Sequence, residues 1–226
     1  MKKLILALVC ITVAISSCQK QALINPSTPA VSEESLSSDA THYYHGNVVT
    51  SIQEIPSYGN EESAVILKAN LNNHHEYYYF DNRDEMEAFL KQQPEMNDLY
   101  AKALQAKDLR QYIAEHHVME YVITHGTVPA SYTEYAKKYK NSRWGFRLWD
   151  NFNVAPGNNI FVPLGGLINF PPGMDMRASS WNGPNANGFV YKGLSYGGMA
   201  LGMWMPPGMA FINFAPNWNN CIRSAL

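Results

Sequence analysis

At Trp144 the chain changes character. From there to Leu226 charged side chains become sparse, while Gly, Asn, Pro, Met and aromatic residues crowd in. Short apolar runs such as "NNIFVPLGG", "GFVYKG" and "GGMALGMWMPPG" alternate with turn formers. Many short β-prone runs between turns are the pattern of an all-β sandwich. A segment this short must bury most of its apolar faces to be stable. Cys221 is its sole cysteine, and one cysteine makes no internal disulfide.

The other two cysteines, Cys10 and Cys18, fall within "MKKLILALVCITVAISSC". Two lysines, an apolar run from Leu4 to Ile15 and small residues before Cys18 have the order of a secretory signal over residues 1–17. The run is too short and wrongly flanked for a spanning helix. Ile15-Ser16-Ser17-Cys18 resembles the lipobox of bacterial lipoproteins. That resemblance implies cleavage before Cys18, a diacylglyceryl group on its sulfur and acylation, of the palmitate kind, on the new amine. Several acyl chains on one residue anchor stably where one is marginal. Gln19 in place of an aspartate resembles outer-membrane sorting, and no acidic run follows Cys18 as a surface-export tag. Residues 18–41, rich in Ser, Thr and Pro, read as a flexible tether. The formal net charge is -2, and without a basic excess nucleic acid is not an expected partner. No later apolar stretch is long enough to cross a bilayer.

Residues 42–142 predict a small α+β or helical region. "AVILKANL" (64–71) and "HHEYYYF" (74–80) flank an amide turn in the manner of a hairpin. Asn82 and Glu85 have capping-box spacing ahead of Met86, Phe89 and Leu90, which share a helical face. Pro94 marks a break. A second helix is expected from about Asp98 to Thr124, burying Leu99, Leu109, Tyr112, Ile113 and Val122. A shorter one, "ASYTEYAKKYK", follows Pro129. The domain plan is therefore a signal (1–17), a tether (18–41), a small α+β or helical region (42–142) and a β-sandwich (143–226).

The segment 145–226 repeats itself with a period of about 40 residues. "LINFPPGMDMRASSW" returns as "FINFAPNWNNCIRSAL". Ahead of the second copy, Tyr191, Tyr196 and Gly198 follow the pattern aromatic-x4-aromatic-x-Gly. Ahead of the first, Trp149, Val154 and Gly157 give a weaker version with one extra residue. Glycine takes a backbone conformation closed to other residues, the rings pack over the turn, and the terminal serine can hydrogen-bond the folded hairpin.

These paired lines resemble the Greek-key motifs of the βγ-crystallin superfamily. The resemblance implies a two-motif sandwich with oxygen-lined calcium sites shared between the motifs. The candidate ligands it implies are Asp175, Ser179, Asn219 and Asn220. Met176 departs from the pattern where a backbone carbonyl suffices. Arg223 departs where a hydroxyl belongs, and it offers no acceptor. One weak Ca2+ site around Ser179 and Asn220 is thus implied, with affinity of roughly 10⁻⁴–10⁻³ M.

Histidines cluster at His42/His45, His74/His75, His116/His117 and His125. Adjacent histidines diverge on both strands and helices, so a pair is not a chelate. His116 and Glu120 have i, i+4 spacing without a further ligand in view. Cys221 reads as a small buried hydrophobe, and Met199, Met203, Met205 and Met209 read as core filling. No catalytic constellation emerges, so the expected function is non-enzymatic: a lipid-anchored envelope protein with a crystallin-like binding or structural domain. Two alternatives stand beside it. One is an inhibitor of a protease, since one bacterial inhibitor family is itself built on a crystallin-like domain to which "RASSWNG" and "NNCIRS" look similar. The other is a glycan-binding adhesion module.

Overall fold

The computed structural model describes residues 36, 40–72, 74–139, 145–149, 159–163, 180–182, 187–194, 196–207, 209, 211–213, 218 and 221–226. Its strands are β1 (Ala40–Tyr44), β2 (Asn47–Val49), β3 (Ala64–Lys68), β4 (His75–Phe80), β5 (Gly145–Trp149), β6 (Asn159–Pro163), β7 (Ser180–Asn182), β8 (Gly188–Tyr191), β9 (Ala200–Trp204), β10 (Phe211–Asn213) and β11 (Ser224–Ala225). Its α-helices are α1 (Arg83–Lys91), α2 (Asn97–Glu115), α3 (Val118–His125) and α4 (Ala130–Ala136).

β3 reads Ala-Val-Ile-Leu-Lys, and its first four residues are buried. A strand apolar on both faces needs cover on both sides and a partner on each edge. It finds β4 antiparallel on one edge and β9 parallel on the other. The sheet so built has the order β11-β8-β9-β3-β4-β1-β2, with a second parallel pair at β1 and β4. On one face Ala64, Ile66, Phe189, Tyr191 and Ala200 pack against Met86, Leu90, Leu99, Ala103, Leu109 and Ile113 of the helices. On the other, Val65, Leu67, Tyr77, Tyr79, Val190 and Leu201 share a core with Leu148 of β5 and Trp181 of β7. Met199, Met203, Met205 and Met209 are all buried in that second core.

The expected all-β Greek-key sandwich over 143–226 is not what forms; the fold is α+β. β8, β9 and β11 leave the compositional segment in which they lie and join β1–β4 in a single mixed sheet. β5, β6, β7 and β10 form a separate antiparallel sheet of order β10-β7-β5-β6. The physical reason is the demand of β3 for a second neighbour, which β9 meets in the register Ile66↔Gly202. Gly202 makes the fit. A Cβ there would lie 2.6 Å from both Ile66 Cδ1 and Phe189 Cε1, inside any tolerable contact. Residues 33–226 accordingly form one compact unit across the change at Trp144.

Local signals in the first region fare differently. The Asn82 side chain accepts from Glu85 N at 3.0 Å and caps α1. Glu85 reaches back to Asp81 N (3.2 Å) rather than to the Asn82 backbone. β3 and β4 pair as expected, but the loop between them is longer than a two-residue turn, with Asn70 N donating to His75 Nδ1 at 3.1 Å. The helix expected from Asp98 to Thr124 is broken at His117, whose φ of 49 is left-handed. Helix α2 therefore stops at Glu115, and α3 starts at Val118, its one buried residue.

The hairpin after β8 is folded and pinned. Tyr196 N donates to Ser224 Oγ (3.1 Å), and that hydroxyl donates to Gly193 O (2.7 Å). The Tyr191 and Tyr196 rings meet at 5.5 Å, and Gly198 takes a φ of 68. Ser224 thus supplies both hydrogen bonds that water would otherwise make inside the turn.

Candidate functional site

Two registers bring three unlike side chains into one row. Lys68 ends β3 opposite Glu76 of β4 and opposite Trp204 of β9. Side chains paired across adjacent strands project from the same face. Here that face is the helix-covered one, at the end where the helices stop.

The short 3-10 turn Pro94–Met96, which joins α1 to α2, closes the back of the row. Trp204 Nε1 donates to Glu95 O at 2.9 Å, which fixes the indole plane. Lys68 Nζ donates to Glu95 Oε1 at 3.2 Å and stands 5.9 Å from the indole centroid. Tyr78 OH donates to Glu76 Oε2 at 2.7 Å. The Glu95 carboxyl is held below its ordinary value by its own backbone N–H and then by Lys68. The Tyr78 hydroxyl is pushed up, by burial first and by the Glu76 carboxylate second.

In front of the row is a cleft of about 320 Å3, lined by Lys68, Ala69, Asn70, Leu71, Glu76, Trp204 and Pro206. A fixed indole beside an ammonium, a carboxylate and an amide combines an apolar platform with donors and acceptors of both kinds. The volume lies at the small end of the ligand-site range. Chemically the cleft suits one ring-sized polar ligand with an apolar face. Each charged group in the row has a hydrogen-bond partner that fixes its position.

The residues singled out from sequence are not those of this row. Asp175, Ser179, Asn219 and Asn220, the implied calcium ligands, and Cys18, the implied lipid carrier, fall outside the described residues. Arg223 is half-buried, and its backbone N donates to Tyr191 O at 2.9 Å. The Cys221 side chain is half-buried rather than fully enclosed.

The histidine pairs do not converge. His42 is a packed core residue, stacked 4.9 Å from Tyr77, with Nδ1 at 2.9 Å from Tyr79 OH. The His74 ring meets Thr41 Oγ1 at 2.8 Å, and His75 is driven to lower pKa by burial and then by His74. Glu120 meets His117 (3.1 Å) instead of His116, whose ring packs tilted against Tyr112 at 4.1 Å. The Trp204 row escaped sequence reading because it depends on the parallel pairing of β3 with β9. The one local hint was the tryptophan standing between Met203 and Met205 in "GMWMPPG", on the opposite face of the strand.

Among the described residues no helix is long and apolar enough to cross a membrane. No family model matches the chain, and no curated protein or solved structure matches it, so nothing identifies a βγ-crystallin domain.

Proposed function

We propose that the protein is a lipid-anchored component of the bacterial cell envelope that acts by binding, and that the Trp204 cleft is its ligand face. Anchoring rests on the sequence Ile15-Ser16-Ser17-Cys18 and the Ser/Thr/Pro-rich tether behind it. The binding reading rests on one observation, the row Trp204–Lys68–Glu76 at an open sheet end.

The ligand class favoured by that row is a glycan. A pyranose presents an apolar C–H face to stack on an indole and a rim of hydroxyls to meet Lys68, Glu76 and Asn70. A tethered module that holds envelope or host glycans needs no catalytic group.

Two experiments test the reading separately. Metabolic labelling with radioactive palmitate should mark the native chain and not Cys18→Ser; equal labelling of both would end the anchoring claim. The detergent-purified lipoprotein should bind members of an array of bacterial envelope oligosaccharides, and Trp204→Ala should lose that binding while keeping its circular dichroism. An empty array, or binding indifferent to Trp204→Ala, would end the glycan claim.

A further inference from the structure

At the other end of β4 a different set of side chains meets. β1 and β4 run parallel in the register Tyr44↔Tyr79, so the two chains leave the sheet side by side. His45 follows β1 immediately, Asp81 follows β4 immediately, and Glu85 sits one helical turn further on, in the first turn of α1. One ligand atom from each of His45, Asp81 and Glu85 lies within 4.8 Å of the other two.

We propose that these three residues form a binding site for a divalent transition-metal ion of the zinc class. The imidazole decides the class. One nitrogen and two carboxylate ligands suit zinc and its neighbours, whereas calcium and magnesium take oxygen alone.

The spacing is close to what the ion requires. Ligand atoms about 2.0–2.1 Å from a tetrahedral zinc lie about 3.4 Å from one another. His45 Nε2 and Asp81 Oδ2 already stand 3.1 Å apart. Closing the rest of the triangle takes side-chain movements on the order of 1 Å, which the exposed His45 and half-exposed Glu85 can make.

The carboxylates are oriented by neutral donors. Tyr44 OH donates to Asp81 Oδ1 at 2.7 Å, and Asn82 Nδ2 donates to Glu85 Oε1 at 3.0 Å. Asp81 N donates to the other Glu85 oxygen. A carboxylate has about four lone-pair sites, so each keeps capacity for a cation. Partners of this kind, hydrogen-bonded to first ligands, are what hold metal sites in shape.

Charge points the same way. Among the described residues Asp81 forms an ion pair with His45, and no lysine or arginine pairs with Asp81 or Glu85. Three protein ligands leave a fourth position for water or for a ligand atom.

The test is a Zn2+ titration of the full chain by calorimetry, with Co2+ absorption as a second readout. The expected result is one tight equivalent of Zn2+, with Co2+ giving the visible bands of a tetrahedral site. His45→Gly should weaken Zn2+ binding at least tenfold and abolish those bands. It suits the left-handed backbone at that position (φ 48), so the fold persists. Glu85→Gln should weaken binding severalfold, His117→Ala should leave it unchanged, and Ca2+ should not compete. No Zn2+ uptake, uptake equal in the native chain and His45→Gly, or uptake lost in His117→Ala would each overturn the proposal.

Discussion

The two ends of β4 hold acidic side chains in opposite ways. At the Glu76 end, Lys68 sits between Glu76 and Glu95, a tyrosine hydroxyl takes up Glu76, and the surface left to solvent is an indole. At the Asp81 end, roughly 17 Å along the strand, Asp81 and Glu85 are held by hydroxyl, amide and backbone donors with an imidazole beside them. A lysine among the carboxylates next to an aromatic plane favours a polar ring. Two carboxylates next to an imidazole favour a cation. One strand thus presents two chemistries, and the difference comes from which neighbours the sheet order supplies: β3 and β9 at one end, β1 at the other.

The largest change should erase the contrast by removing its common floor. Phe189 of β8 is fully buried against Gly202 of β9, in the core between sheet and helices. Phe189→Ala should cost about 3–5 kcal/mol and lower Tm by roughly 10 °C, weakening both ends together in thermal denaturation. Trp204→Ala should sharpen the contrast: oligosaccharide affinity falls by about 2 kcal/mol, near thirtyfold, with Zn2+ affinity intact by calorimetry.

His45→Gly should do the reverse and add a smaller effect. Relief of the left-handed residue outweighs the lost contact to Asp81, so the metal-free protein gains about 0.5 kcal/mol in urea titration. The smallest effect is in acid. The Asp81 carboxyl is held below its ordinary value by the nearby Ser57 hydroxyl and by the Tyr44 hydroxyl. Only the Tyr44 contact has hydrogen-bond geometry; the Ser57 oxygen lies outside it. A carboxyl with a lowered folded pKa contributes stability that is full above about pH 4 and is lost as pH falls through the folded value. Solvent exposure limits it to a few tenths of a kcal/mol, read as the difference in acid denaturation between the native chain and Tyr44→Phe.

How much of this was legible depended on sequence distance. The Asn82 cap, the β3–β4 pairing and the face of α2 carrying Leu99, Leu109 and Ile113 involve near neighbours, and their residue patterns announce them. So does the hairpin of Tyr191, Tyr196 and Gly198, though its bond to Ser224 spans 28 residues. What a pattern cannot announce is which distant strand satisfies β3. The pairing of Ala64 with Ala200 is fixed by packing around Gly202, not by any local preference. The mistaken sandwich followed from reading the charge-poor segment as its own partner. Both candidate sites were hidden by the same circumstance: Trp204 meets Lys68 through one parallel pair, and His45 meets Asp81 through the other. The break at His117 was missed because a histidine in a left-handed conformation carries no signal in helical periodicity.

The most direct measurement follows backbone and indole resonances of the 15N-labelled chain through two titrations, first with Zn2+ and then with a bound oligosaccharide from the array. Zn2+ should move the signals of His45, Asp81 and Glu85 and leave the Trp204 indole still. The oligosaccharide should move Trp204, Lys68 and Asn70 and leave the metal set still. Overlapping shifts, or a titration that moves neither set, would contradict two chemically distinct ends on one strand.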